Sequence, residues 1–245
     1  NSGIQLNLVQ GTNGVFTPEQ AEPLIRPESA YYMPRTRVVE IENTHNVAGG
    51  TINPIENIRA MQKLTDKHGL FMHLDGARLW NASVATGISL SEYASYFDTV
   101  SVCLSKGLGA PIGSVIAGAD GFIKEAFRVR KAWGGGMRQV GIIAAGGLYA
   151  VKNNIERLSE DHENARSLAE HLAQLPNIEI DLPSVETNIV MFKSKNKSPE
   201  QVIAECKGNG LLLGPGGVGI LRIVTHMDVS SKDVETAKEI FAKIL

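Results

Sequence analysis

The chain has 245 residues, 43% of them hydrophobic and 20% charged, with a formal net charge of -2. That is the composition of a folded globular chain, and with no basic block it gives no support for a nucleic-acid or membrane-surface partner. No apolar run approaches the ~18 residues of a membrane span, and no basic-then-apolar leader opens the chain.

Cys103 and Cys206 stand far apart, each in an apolar stretch, and are expected as two buried thiols of a reducing, cytoplasmic protein. The six histidines include no pair at metal-ligand spacing, so no metal is expected.

In chain order, Ile4, Leu6 and Leu8 alternate as in a short strand, followed by the turn Gly11-Thr12-Asn13-Gly14. Thr17-Pro18-Glu19-Gln20 is a helix start within a Pro-rich stretch. Residues 37–42 (RVVEIE) form a β-branched strand ending in Asn43-Thr44-His45-Asn46 and a Gly49-Gly50 turn. Asn53 is the expected cap of the next helix, with Pro54 at its first position. Ile55, Ile58, Met61 and Leu64 then recur at helical spacing, and Gly69 ends the element. A strand over 70–75, a helical passage over 81–97 and strands over 99–104 and 114–117 follow.

Helices are expected over 120–132 and 139–173, the second carrying the chain out of the sheet. Short strands (178–182, 187–193, 211–213, 219–224) then mix with helices over 199–207 and 231–244. The fold class is therefore α/β, a mostly parallel sheet in residues 1–155 with a small C-terminal α+β domain in 156–245. Ligands of such sheets sit at the carboxyl ends of the strands, where Asp75 and Lys106 fall.

Lys106 follows an apolar strand and is flanked by Gly107 and Gly109, which allow close approach of a bulky group. A desolvated lysine there can form a Schiff base with a carbonyl compound. Asp75 ends an apolar strand and needs a partner for its charge. Arg78, three residues on, can take a phosphate or carboxylate. Taken singly, each is more often a surface lysine, a turn aspartate or a solvated arginine.

The combination strand–Asp–x–x–Arg followed by strand–Ser–Lys–Gly resembles the aspartate-aminotransferase-like (fold type I) enzymes of pyridoxal 5′-phosphate (PLP). Glu42-Asn43-Thr44-His45-Asn46, residues 73–82 (HLDGARLWNA), 103–114 (CLSKGLGAPIGS), 134–139 (GGGMRQ), 158–162 (LSEDH) and 222–226 (RIVTH) resemble the low-specificity L-threonine aldolase family. The resemblance runs from about residue 35 to the end. It implies a PLP-transferase-like large domain and PLP-dependent retro-aldol cleavage of L-threonine or L-allo-threonine to glycine and an aldehyde.

By the same resemblance Lys106 would hold PLP covalently, Asp75 would pair with the pyridinium, and Ser105 would hydrogen-bond near the phosphate. Arg78 would lie by the cofactor ring and help bind the substrate carboxylate, with Arg222 as the bidentate clamp. Lys131 and Arg138 would reach the PLP phosphate of a neighbouring subunit, implying a homo-oligomer built as a dimer of dimers. His45 is a weaker candidate, equally readable as a structural histidine.

Family members also carry an N-terminal segment with a Gly-Thr-x-Ala-Asn-type phosphate turn and a ring-stacking histidine, neither of which is present in this sequence. The Gly11–Gly14 turn is read as a coincidental likeness to the first, and Tyr32 stands where many members have a histidine. Three other readings are open to the same residues. One is a different β-eliminating lyase of the same fold type; another is a truncated, non-catalytic oligomerisation module. A dinucleotide site at Gly214–Gly219 has little support, because that stretch does not join a strand to a helix.

Overall fold

The computed structural model describes residues 3–29 and 31–245. Strands β1 (Val38–Glu42), β2 (Phe71–Gly76), β3 (Thr99–Cys103) and β4 (Ser114–Gly118) form a sheet in the order β1-β2-β3-β4. The first three are parallel and β4 runs antiparallel to β3. Parallel neighbours need crossovers, and these are helices α2 (Ile55–His68) between β1 and β2, and α3 (Leu79–Thr86) with α4 (Leu90–Ala94) between β2 and β3. A short α1 (Pro18–Ala21) precedes them, its Gln20 side chain accepting from the Thr17 amide.

The spacing of Ile55, Ile58, Met61 and Leu64 buries one stripe of α2 against Ile41, Met72 and Leu74 of the sheet. Gly69, at φ 61°, closes α2 in the left-handed conformation that a glycine adopts without penalty. The expected cap is displaced by one residue. The helix starts at Ile55 after Pro54, and the Asn53 side-chain oxygen instead accepts from Asn57 Nδ2 at 3.0 Å.

After β4 come α5 (Asp120–Ala132), α6 (Gly141–Asn153) and α7 (Leu158–Ala173). The single helix expected over 139–173 is thus two, broken at residues 154–157. Asn154 turns its side chain onto the Leu108 carbonyl at 2.7 Å rather than continuing the helix, a competition with helical bonding to which asparagine is prone.

The second sheet is wholly antiparallel, β5-β6-β8-β7, built from β5 (Ile178–Glu179), β6 (Ile189–Ser194), β7 (Gly214–Gly217) and β8 (Ile220–Val224). Helices α8 (Pro199–Gly208) and α9 (Ser231–Ile244) join α7 in closing its core around Leu168, Leu172, Phe192, Val202, Leu221 and Phe241. Residues 211–213 are not a strand; the glycine-rich Gly214–Gly217 takes the edge position and Leu212 lies in solvent. Nor are residues 3–10 a strand. Ile4, Leu6 and Leu8 are each about three-quarters exposed, since nothing among the described residues pairs with them.

Candidate active site

The parallel strands end along one edge of the first sheet. Register pairs Glu42 of β1 with Asp75 of β2, and Asp75 with Ser101 of β3, so both carboxylates stand side by side there. Asp75 Oδ1 accepts the Ala77 amide at 3.0 Å, and among the described residues no cation is in ion-pair contact with it. One face of this carboxylate is therefore left for another partner.

Arg78 starts α3, immediately after the strand, and its Nη1 is buried without a hydrogen-bond partner. Burial pulls this guanidinium below its ordinary value, nearby Arg222 adds to the effect, and Glu42, Cys103 and Asp75 oppose it. Arg222 arrives from β8 of the other sheet. Its Nη2 donates to Asn46 Oδ1 at 2.8 Å while its Nε is buried and unpartnered. Each buried donor left unpaired costs about 1–3 kcal/mol. Two such donors on neighbouring cations mark a place for an anion with several acceptor oxygens.

The loop after β1 joins the two sheets. Gly50 O accepts from Thr187 Oγ1 at 2.7 Å, the Ile52 amide donates to Glu186 at 2.5 Å, and Gly49 is packed so closely on Met191 that a Cβ would lie 2.9 Å from its Cγ. Within this loop Glu42 Oε1 accepts the Asn46 amide at 2.9 Å and Oε2 lies 3.7 Å from His45 Nε2. His45 Nδ1 accepts the Ala48 amide, which leaves the neutral ring's proton on the Glu42 side. The Gly11–Gly14 segment closes here too. Thr12 and Val15 bridge around Asn13 and Gly14, both at positive φ, and Gly14 lies flat on the His45 ring where no Cβ would fit.

Lys106 sits beyond β3 in a loop tied by Leu104 N–H to Gly113 O (2.9 Å) and Ala110 N–H to Leu104 O (3.0 Å). A Cβ on Gly107 would lie 2.7 Å from Leu158 and one on Gly109, at φ 70°, 2.3 Å from Met227 Sδ. The two glycines thus let elements leading to and from the second sheet press against the lysine loop. Lys106 and Ser105 themselves are exposed, so the desolvation expected of Lys106 is not supplied by the described residues. Cys103, expected to be buried, is only half-buried beside Trp80, whose Nε1 donates to the Cys103 carbonyl at 2.9 Å; Cys206 is buried.

Not all the predicted residues gather. Lys131 and Arg138 are exposed on the segment around Gly134–Gly136, with Lys131 Nζ only 3.5 Å from the Gly136 carbonyl. Tyr32 is exposed against Tyr31. What sequence reasoning left without a role is the Glu42–Asn46 pair. Its signal was there in the block Glu42–Asn46, polar residues directly after a β-branched strand that ends at the ligand edge. A further polar seam, Asn81 Nδ2 to His162 Nε2 at 3.1 Å and to Asn188 Oδ1 at 3.5 Å, ties α3 to α7 and the second sheet.

A mostly parallel sheet with a lysine loop, an acid and two arginines at its carboxyl edge, coupled to a small antiparallel sheet, is the PLP-transferase-like fold. Residues 1–195 match the beta-eliminating lyase family, and the chain belongs to that family. It is 38% identical over 237 residues to low-specificity L-threonine aldolase 1 of Arabidopsis thaliana, covering 95% of this chain and 66% of that protein. It is 39% identical over 222 residues to the low specificity L-threonine aldolase of Escherichia coli K12, covering 91% and 64%. The chain therefore spans just under two thirds of these relatives' lengths. A Leishmania major threonine aldolase structure superposes with a TM-score of 0.77 at 20% identity, over 95% of this chain and 68% of that one.

Proposed function

We propose that this chain carries the cofactor lysine and the carboxylate clamp of a PLP-dependent aldehyde-lyase. Its substrates would be L-threonine or L-allo-threonine, or related β-hydroxy-α-amino acids, cleaved to glycine and an aldehyde. The observation that carries the reading is the convergence of two buried, unpartnered guanidinium donors, Arg78 Nη1 and Arg222 Nε, beside Asp75. The named activity of the threonine aldolase relatives supports the substrate class.

The residues present fit PLP. Lys106 Nζ would hold it covalently, Asp75 would keep its ring nitrogen protonated with the oxygen not used by Ala77, and Ser105 would lie by its phosphate. When bound, PLP supplies the electron sink for the pair released from the Cα–Cβ bond. The chain's share is orientation. Arg78 and Arg222 bind the substrate carboxylate, Arg222 aimed by Asn46, and so fix which bond at Cα faces the cofactor. Overall the β-hydroxyl loses a proton, the Cα–Cβ bond breaks, and Cα gains a proton to become glycine.

The site is completed by further copies, in a dimer of dimers, with Lys131 and Arg138 reaching a neighbour's cofactor phosphate. In support, both lie exposed among uncovered apolar side chains: Trp133, Met137, Val140 and Ile142 are all more than half exposed. We place the activity in cytoplasmic threonine catabolism and glycine formation, where the free Cys103 and Cys206 stay reduced.

The test is the absorption spectrum of the purified chain with added PLP, before and after borohydride, with Lys106→Ala as control. A visible band that borohydride removes and the control lacks, with acetaldehyde released from threonine, supports the reading. Cleavage undiminished in Lys106→Ala would sink it. The exposure of Lys106 favours a second reading, a non-catalytic assembly module, which predicts no band and an associating chain.

A further inference from the structure

We propose that Glu42 makes the two-arginine clamp selective for a single carboxylate, restricting its substrates to amino acids whose β-substituent carries no negative charge. The proposal rests on the reading of Arg78 and Arg222 as the carboxylate clamp.

Glu42 ends β1 at the ligand edge, in register with Asp75. Its Oε1 holds the Asn46 amide at 2.9 Å, and the side chain of that same Asn46 holds Arg222 Nη2 at 2.8 Å. Its Oε2 faces His45 Nε2 at 3.7 Å. The carboxylate is thus one residue removed from the guanidinium that grips the substrate, and it is only partly exposed to solvent. Its charge also reaches Arg78, where it opposes the effects of burial and of Arg222.

The charges then sum simply. Arg78 and Arg222 bring two positive charges; Asp75 is committed to the cofactor ring when that is bound, and in the cofactor-free chain it contributes equally to wild type and Glu42 variants. Glu42 cancels one of the two, leaving a single positive charge, matched by one substrate carboxylate. A second carboxylate on the ligand would enter the field of Glu42. At separations of one intervening side chain and the effective dielectric of a partly buried site, a unit charge is worth about a tenfold change in affinity.

Glu42→Gln separates charge from geometry, since the amide oxygen can still accept the Asn46 N–H. The experiment is ligand-observed NMR titration of the full cofactor-free chain with propionate, which has one carboxylate, and malonate, which has two. Relative to wild type, Glu42→Gln should raise the malonate-to-propionate affinity ratio about tenfold. Glu42→Met, neutral and of similar volume, should do the same and stands in if the glutamine variant fails to fold. Glu42→Asp keeps the charge and should keep the wild-type ratio, and Arg222→Leu should lose both ligands.

A ratio unmoved in the neutral variants overturns the proposal. So does binding that survives Arg222→Leu, because the anions would then sit elsewhere. The readout needs no cofactor and no turnover. A wild-type chain lacking the PLP band would therefore undo the lyase reading while leaving this measurement to stand or fall on its own.

Discussion

Two regions of the chain treat the same kind of sequence in opposite ways. Helix α9 and helix α5 are both amphipathic, and both follow a strand of their own sheet. Yet α9 buries Val234, Ala237 and Phe241 in a closed core with α7, α8 and the second sheet, whereas α5 buries no residue at all. Along β4, α5 and α6 every strand position is exposed, and Phe127, Trp133, Ile142 and Tyr149 stand 62–85% open. An apolar stripe thus tells that a face must be covered, not by what. In the C-terminal region the chain covers itself; around β4–α6 nothing among the described residues supplies the cover.

Breaking the chemistry at the edge of the open region should have the largest effect. Lys106→Ala is expected to abolish the borohydride-sensitive band and threonine cleavage together, measured by spectrum and by aldehyde release. Next, Phe241→Ala in the closed core, where the ring packs edge-on to Phe192, should cost about 3–5 kcal/mol, read from urea midpoints. On the open face Trp133→Ser should change the stability of the dissociated chain by no more than about 0.5 kcal/mol while weakening self-association in sedimentation velocity. A large loss of stability there would mean the face is covered within the chain itself.

Two smaller effects probe the seam and the closed core. Burial holds His162, hydrogen-bonded through Nε2 to Asn81, below its ordinary value of 6.5. The unfolded chain then takes up a proton that the fold resists, so stability should fall as pH drops through 6.5 and on towards the lower folded value. His162→Gln, which can still accept from Asn81, should flatten that decline in urea midpoints taken on either side of pH 6.5. Burial pushes the Cys206 thiol up to about 11, so Cys206 should resist alkylation under native conditions while half-buried Cys103 reacts first, as peptide mapping would show.

Much of the site could be read from local pattern because strand ends are local. Asp75, Arg78 and Lys106 each stand directly after an apolar run, and a parallel sheet places such residues on one edge. Other readings failed where partners decide. The alternation of Ile4, Leu6 and Leu8 looks like a strand, but a strand exists only beside another. Residues 139–173 look like one helix until the Asn154 side chain finds the Leu108 carbonyl. Arg222 could be named a candidate clamp residue from its motif, but not the Asn46 hydrogen-bonded to it, 176 positions away.

By itself, then, the sequence determined the periodic elements, the α/β order of the first sheet and the identity of the groups able to do chemistry. These depend on spacings of a few residues and on the intrinsic chemistry of side chains. Only the tertiary structure decided which donors are left unpaired, that Glu42 and Asn46 stand between His45 and Arg222, that Lys106 is open, and that one amphipathic region closes while the other does not. Those outcomes turn on which distant surfaces meet, and no local spacing encodes that.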